Sequence, residues 1–95
     1  MTLYAVQYHY DQRADLQAEV RPSHREYLSG VADAGQLLGS GPYLAGDPGA
    51  LLVFRVADRA ELDRLLAADP FAAAGVIART EVREWNLIMG PWAQG

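Results

Sequence analysis

A chain of 95 residues with 51% hydrophobic content and a formal net charge of -4 fits one small domain, 1–95. A chain of this size buries only about two-thirds of its unfolded surface, so self-association adds useful burial. No apolar run reaches the ~18–20 residues of a membrane span, the first ten residues lack the basic and apolar regions of an export signal, and no block is basic enough to track a phosphate backbone. Membranes and nucleic acid are therefore excluded as partners, and a cytoplasmic location is expected. With no Cys and with every basic side chain an Arg, thiol nucleophiles, thiolate metal cages, disulfides and Schiff-base lysines are excluded. The only histidines, His9 and His24, lack the short spacing of a zinc site, so neither a metal nor a cofactor is expected.

Leu3 to His9 alternates, with Tyr4, Val6 and Tyr8 on one side, and predicts a strand that ends at a surface His9. Asp11 to Val20 reads as polar and irregular. Pro22 then suits the first turn of a helix that Gly35 stops. On this helix His24, Tyr27, Leu28, Val31 and Ala32 share one face, which turns the imidazole toward the interior. Gln36 to Leu44 predicts a strand interrupted by Gly39, Ser40, Gly41 and Pro42, and the turn Gly46 to Gly49 joins it to a strand from Ala50 to Val56. Asp58 with Glu61 matches a capping box, and Leu62, Leu65 and Leu66 mark a second helix ending near Ala68. After Asp69, Pro70, Phe71 and Gly75, the alternation from Val76 to Ile88 predicts a long last strand. Its apolar parity changes at Trp85 and Leu87, which a bulge or, preferably, a face covered by a second subunit explains. Arg79, Glu81, Arg83 and Glu84 are expected to pair across strands on a wet face.

The order strand, helix, strand, strand, helix, strand predicts a ferredoxin-like βαββαβ fold of the α+β class: a four-stranded antiparallel sheet with two helices on one face. The other face needs a partner or a polar coat, and strand Tyr and Trp residues favour sheet-to-sheet packing in a homodimer.

A buried imidazole needs a polar partner, and Asp69 is available. A His-Asp pair transfers protons. Asp69 before Pro70 is also a good N-cap, and the two roles can coexist.

Arg21, Pro22, Ser23, His24, then Tyr27 and Leu28, Gly35 and Leu38, Gly41 and Pro42, Asp69, Pro70, Phe71 with Gly75, and Val82 with Trp85, stand in an order and spacing that resembles the YciI-like (YCII-related) domain. The resemblance covers nearly the whole chain. It implies a dimeric α+β barrel, a site built on His24 and Asp69, and a cleft near Ser40, Gly41 and Pro42. A dehydrochlorinase is among the members of that family. The short second hairpin, Leu44 to Ala50, departs from longer members and implies a more open pocket mouth.

Each candidate also has a purely structural role. His24 and Asp69 as a general acid or base and its orienting partner make an enzyme of isomerisation, elimination or dehydrohalogenation on a small cyclic or aromatic metabolite. As a buried polar pair that fixes packing, they make a small-molecule-binding or protein-interaction module instead. Arg21 suits a carboxylate or phenolate ligand or a salt bridge to Glu19. Ser40 can bond a ligand, but Gly-Ser-Gly also occurs where a strand bends, and no nucleophile elbow surrounds it. Tyr8 and Phe71, with Tyr4, Tyr43 and Trp85, suit an aromatic pocket or the core and dimer packing.

Overall fold

The structure, a computed structural model describing residues 1–93, runs β1 (Thr2–Tyr10), α1 (Ala14–Asp33), β2 (Leu37–Pro42), β3 (Gly49–Val56), α2 (Arg59–Ala67), α3 (Pro70–Ala74), β4 (Ile77–Glu84) and a 3-10 turn at Pro91–Ala93. The expected domain, 1–95, extends beyond the described residues at Gln94 and Gly95. The strands form one antiparallel sheet in the order β2-β3-β1-β4, with the helices on one face, which is the ferredoxin-like arrangement. Among the described residues, no helix is long and apolar enough to cross a membrane.

The central strand β1 sets the two faces. Its period of two sends Tyr4, Val6 and Tyr8 to the helix side, where the register places them against Phe54, Leu52 and Ala50 of β3. All six are buried, in one core with Leu28 and Val31 of α1 and Leu62 of α2. Leu3, Ala5, Gln7 and His9 point to the open face beside Arg55, Val53 and Leu51. The C-terminal turn returns across this face. A Cβ added to Gly39 would lie 2.8 Å from the Trp92 ring, so the glycine lets the indole lie close against the strand.

α1 begins at Ala14, not at Pro22. Its first turn has no side-chain cap, and it is anchored instead by the Gln17 amide, which donates to the Asp11 carbonyl at 2.8 Å and to Asp11 Oδ1 at 3.0 Å. Side-chain anchoring of this kind leaves no apolar periodicity to read, which is why the stretch looks irregular. Pro22 sits inside the helix, where it removes the N–H that would bond the Ala18 carbonyl, and twenty residues of helix accommodate that loss. The predicted stop at Gly35 is met by a Schellman closure: Gly35 has φ of 81°, its N–H bonds the Ala32 carbonyl, and the Gln36 N–H bonds the Val31 carbonyl. At α2 the Asp58 carboxylate accepts from the Glu61 N–H at 2.9 Å, while Glu61 reaches back to the Ala57 N–H at 3.4 Å.

β4 ends at Glu84, short of the predicted Ile88. The Trp85 N–H still donates to the Leu3 carbonyl at 2.8 Å, after which the chain leaves the sheet. The parity change at Trp85 and Leu87 therefore requires neither a bulge nor a covered face, because those residues are no longer in a strand. On the open face Arg79 pairs with Glu81 along β4, and His9 joins them from β1 at 3.2 Å from each, half-buried and not simply a surface residue. Among the described residues, Arg83 and Glu84 form no ion pair.

Candidate active site

The site is assembled from a helix, a helix cap and the central strand. On α1, His24 occupies the same buried stripe as Leu28 and Val31. Asp69 is the N-cap of α3: its backbone is extended, Pro70 takes the first helical position, and its Oδ1 accepts from the Phe71 N–H at 2.9 Å. The short helix closes at Gly75, whose φ of 73° only glycine adopts readily.

This cap places the Asp69 carboxylate against two other side chains. Its Oδ1 lies 2.8 Å from Nδ1 of His24, and its Oδ2 accepts from the Tyr8 hydroxyl at 2.9 Å. Asp69 is 1% exposed and His24 7%. A carboxylate at that depth persists only when its oxygens are hydrogen-bonded, and here three donors converge on it. Among the described residues, no buried side-chain nitrogen or oxygen lacks a partner.

The same contacts fix the imidazole. A carboxylate that accepts from Tyr8 and Phe71 accepts from His24 as well, so Nδ1 carries a hydrogen and Nε2 is the ring nitrogen left for proton exchange. Phe71 stacks on the ring at a centroid distance of 3.9 Å and an angle of 10°, holding its plane. Tyr10 meets Phe71 edge-on at 5.5 Å.

The electrostatics follow from burial around one acid. Burial, then the Asp69 charge and the hydrogen bond to it, pushes the Tyr8 hydroxyl far above the ordinary tyrosine range, so Tyr8 stays a donor. Tyr10 and Tyr27 are also pushed up, by burial first and Asp69 second. In Tyr10 the guanidinium groups of Arg21 and Arg25 oppose that rise.

His24 and Phe71 line a cleft of about 690 Å³ between α1 and the β2 edge. Of the other residues expected at the site, Arg21 and the Ser40, Gly41, Pro42 segment line it too. Asp69 lies behind the imidazole. Tyr8 does not reach the cleft, and its ring borders a smaller recess with Ile77, Thr80 and Val82. Tyr4 is in the core, and the Tyr43 hydroxyl donates to Gln7 at 2.9 Å on the opposite side of the sheet. Trp85 is exposed, outside the cleft lining. Among the lining residues that were not anticipated are Tyr10 and Arg25. Tyr10 continues the parity of Tyr4, Val6 and Tyr8, and Arg25 stands four residues after Arg21, so strand and helix spacing carried the signal for both. Among the described residues, no group of three or more His, Cys, Asp or Glu could hold a metal ion.

The model of the YCII-related domain matches residues 1–86. No curated protein matches the sequence. Among solved structures, the chain is similar to 5-chloro-2-hydroxyhydroquinone dehydrochlorinase from Burkholderia phenoliruptrix AC1100, solved with 2,5-dihydroxybenzoquinone: 20% identity, TM-score 0.79, covering 88% of this chain and 93% of that one. It is also similar to an antibiotic biosynthesis monooxygenase at 16% identity and TM-score 0.59, covering 94% and 100%. A Mycobacterium tuberculosis protein, Rv0793, matches at 11% identity and TM-score 0.53, covering 95% and 97%. At these identities the likeness is one of fold.

Proposed function

The chain belongs to the YCII-related domain family, and we propose that it is a small cofactor-independent enzyme that transfers protons on a small cyclic or aromatic metabolite. The observation that carries this reading is the 2.8 Å His24–Asp69 hydrogen bond behind an imidazole that lines an open cleft. Nε2 of His24 takes a proton from a carbon or hydroxyl of the substrate. Asp69 keeps the ring in the required tautomer and stabilises the imidazolium that forms. In an elimination the C–H bond breaks, its electron pair becomes the new double bond, and halide or another leaving group departs with its own pair. In an isomerisation the same proton returns to a different atom. Arg21, Ser40, Gly41, Pro42 and Phe71 contact the substrate in this reading, and Tyr8 positions Asp69 from behind.

The fold shared with a dehydrochlorinase supplies a precedent for elimination on a small ring. A cytoplasmic homodimer completes the reading, on the cysteine-free composition and on Leu51, which stands 38% exposed on the open sheet face. The test is turnover of ring carbonyl, hydroxyquinol and halogenated phenol substrates by wild type and His24→Asn. Loss of general acid–base catalysis lowers the rate about 100- to 10,000-fold. A folded His24→Asn protein with full turnover would overturn the proposal.

The 7% exposure of His24 and its stacking on Phe71 also suit a module that binds without conversion. That reading expects ligand binding without product, and unfolding midpoints that fall for both His24 and Asp69 variants.

A further inference from the structure

The charge of the cleft wall has a direction. Arg21 and Arg25 stand four residues apart on α1, and both line the cleft beside His24. Among the described residues, neither guanidinium has a carboxylate within ion-pair distance. Among the described residues, no Asp or Glu lines the cleft. The acid nearest the imidazole, Asp69, is buried with both oxygens engaged by Tyr8, His24 and Phe71. Two uncompensated positive charges therefore border this cavity in a chain whose net charge is -4. Tyr10 lines the same wall, edge-on to the Phe71 ring that stacks on His24. Burial and the Asp69 charge keep its hydroxyl protonated and so able to donate, while both guanidiniums stand close enough to oppose that rise.

We infer that the cleft takes its substrate as a delocalised oxyanion on a small ring, held by Arg21, Arg25 and the Tyr10 hydroxyl, with a neighbouring proton presented to His24. This rests on the cleft being the substrate site. Guanidinium suits the role because its planar donors match the two oxygens of a carboxylate or the spread charge of a phenolate. The anion also does chemical work. Its attraction to the arginines draws the ring into the cleft without occupying Nε2, and the imidazolium formed on proton transfer stays paired to Asp69.

The experiment is calorimetric binding of benzoate against benzamide, and of ionised 4-nitrophenolate against 4-nitroanisole, to wild type, Arg21→Gln and Arg25→Gln. At least one anion should bind about tenfold tighter than its neutral partner, and each substitution should remove most of that difference while leaving the neutral partner unchanged. Preference for benzoate assigns a carboxylate substrate, and preference for nitrophenolate assigns a ring hydroxyl. The wild-type protein gives a second measure that needs no variant, because anion affinity should fall with added salt and neutral affinity should not. Anions that bind no tighter than their neutral partners, or that bind folded arginine variants as they bind wild type, overturn the inference. Binding is read apart from turnover. Arginine-dependent anion binding with no reaction leaves the charge assignment standing and removes the enzyme. His24-dependent turnover of a neutral substrate does the reverse.

Discussion

Tyr8 and His24 grip opposite oxygens of the same buried carboxylate: the phenol donates to Oδ2 of Asp69 at 2.9 Å while Nδ1 of the imidazole meets Oδ1 at 2.8 Å. The central strand and the first helix are thus tied through one side chain of a helix cap. Substitutions at this junction separate catalytic from structural effects, since only His24 faces the cleft.

Asp69→Asn replaces an acceptor by a group that can present an N–H to the imidazole, which would invert the tautomer and occupy the basic nitrogen. Turnover should fall at least about tenfold with little change in KM. Nitrogen NMR of the His24 ring should show the hydrogen on Nδ1 in wild type and on Nε2 in the variant. Identical ring spectra would remove Asp69 as the orienting group.

Tyr8→Phe deletes a donor to a buried carboxylate and should cost about 1–3 kcal/mol at neutral pH. The pH dependence has a definite sign. The fold holds the Tyr8 proton well above the ordinary range, whereas the unfolded chain releases it near pH ~10. The stability from this group is complete below about pH 10 and is lost as pH rises toward the folded value, because ionisation favours the unfolded chain. Urea unfolding between about pH 8 and 11 should show wild type losing stability more steeply than Tyr8→Phe. Parallel curves would contradict the assignment.

Gly49→Ala places a methyl 2.5 Å from the backbone oxygen of Tyr8, where neither strand can give way easily. A loss of about 1–3 kcal/mol is expected. Gly30→Ala, in α1 with nothing within 4 Å of the new Cβ, should gain about 0.5–1 kcal/mol through helix propensity and a less flexible unfolded chain. Thermal unfolding of the pair checks both signs.

Leu51→Arg puts a charge on the open sheet face without touching the core. Sedimentation should show wild type as a dimer and the variant shifted toward monomer. A wild-type monomer at every concentration would remove the homodimer from the proposal.

Local signals alone reach far into this protein. The period of β1, the helix stripe with His24, the stop at Gly35, the cap at Asp58 and the cap at Asp69 each depend on a few adjacent residues, and each stands where its pattern places it. The misplaced boundaries are those without a local cause. α1 starts at Ala14 because Gln17 bonds Asp11, an anchor that adds no apolar repeat, and β4 stops at Glu84 because the chain leaves β1 after the Trp85 N–H bonds the Leu3 carbonyl.

Residue type and short-range spacing by themselves determined the four strands, the two longer helices and the candidacy of His24 and Asp69. That the two meet was decided by the tertiary structure, since they lie 45 residues apart and Tyr8 lies 61 from Asp69. Such distances close only when α1 and α3 pack against each other and against the sheet. The same packing brought Tyr10 and Arg25 into the cleft and turned Tyr8 behind it. Periodicity states which face of an element a side chain occupies, but the neighbour waiting on that face is set by the fold.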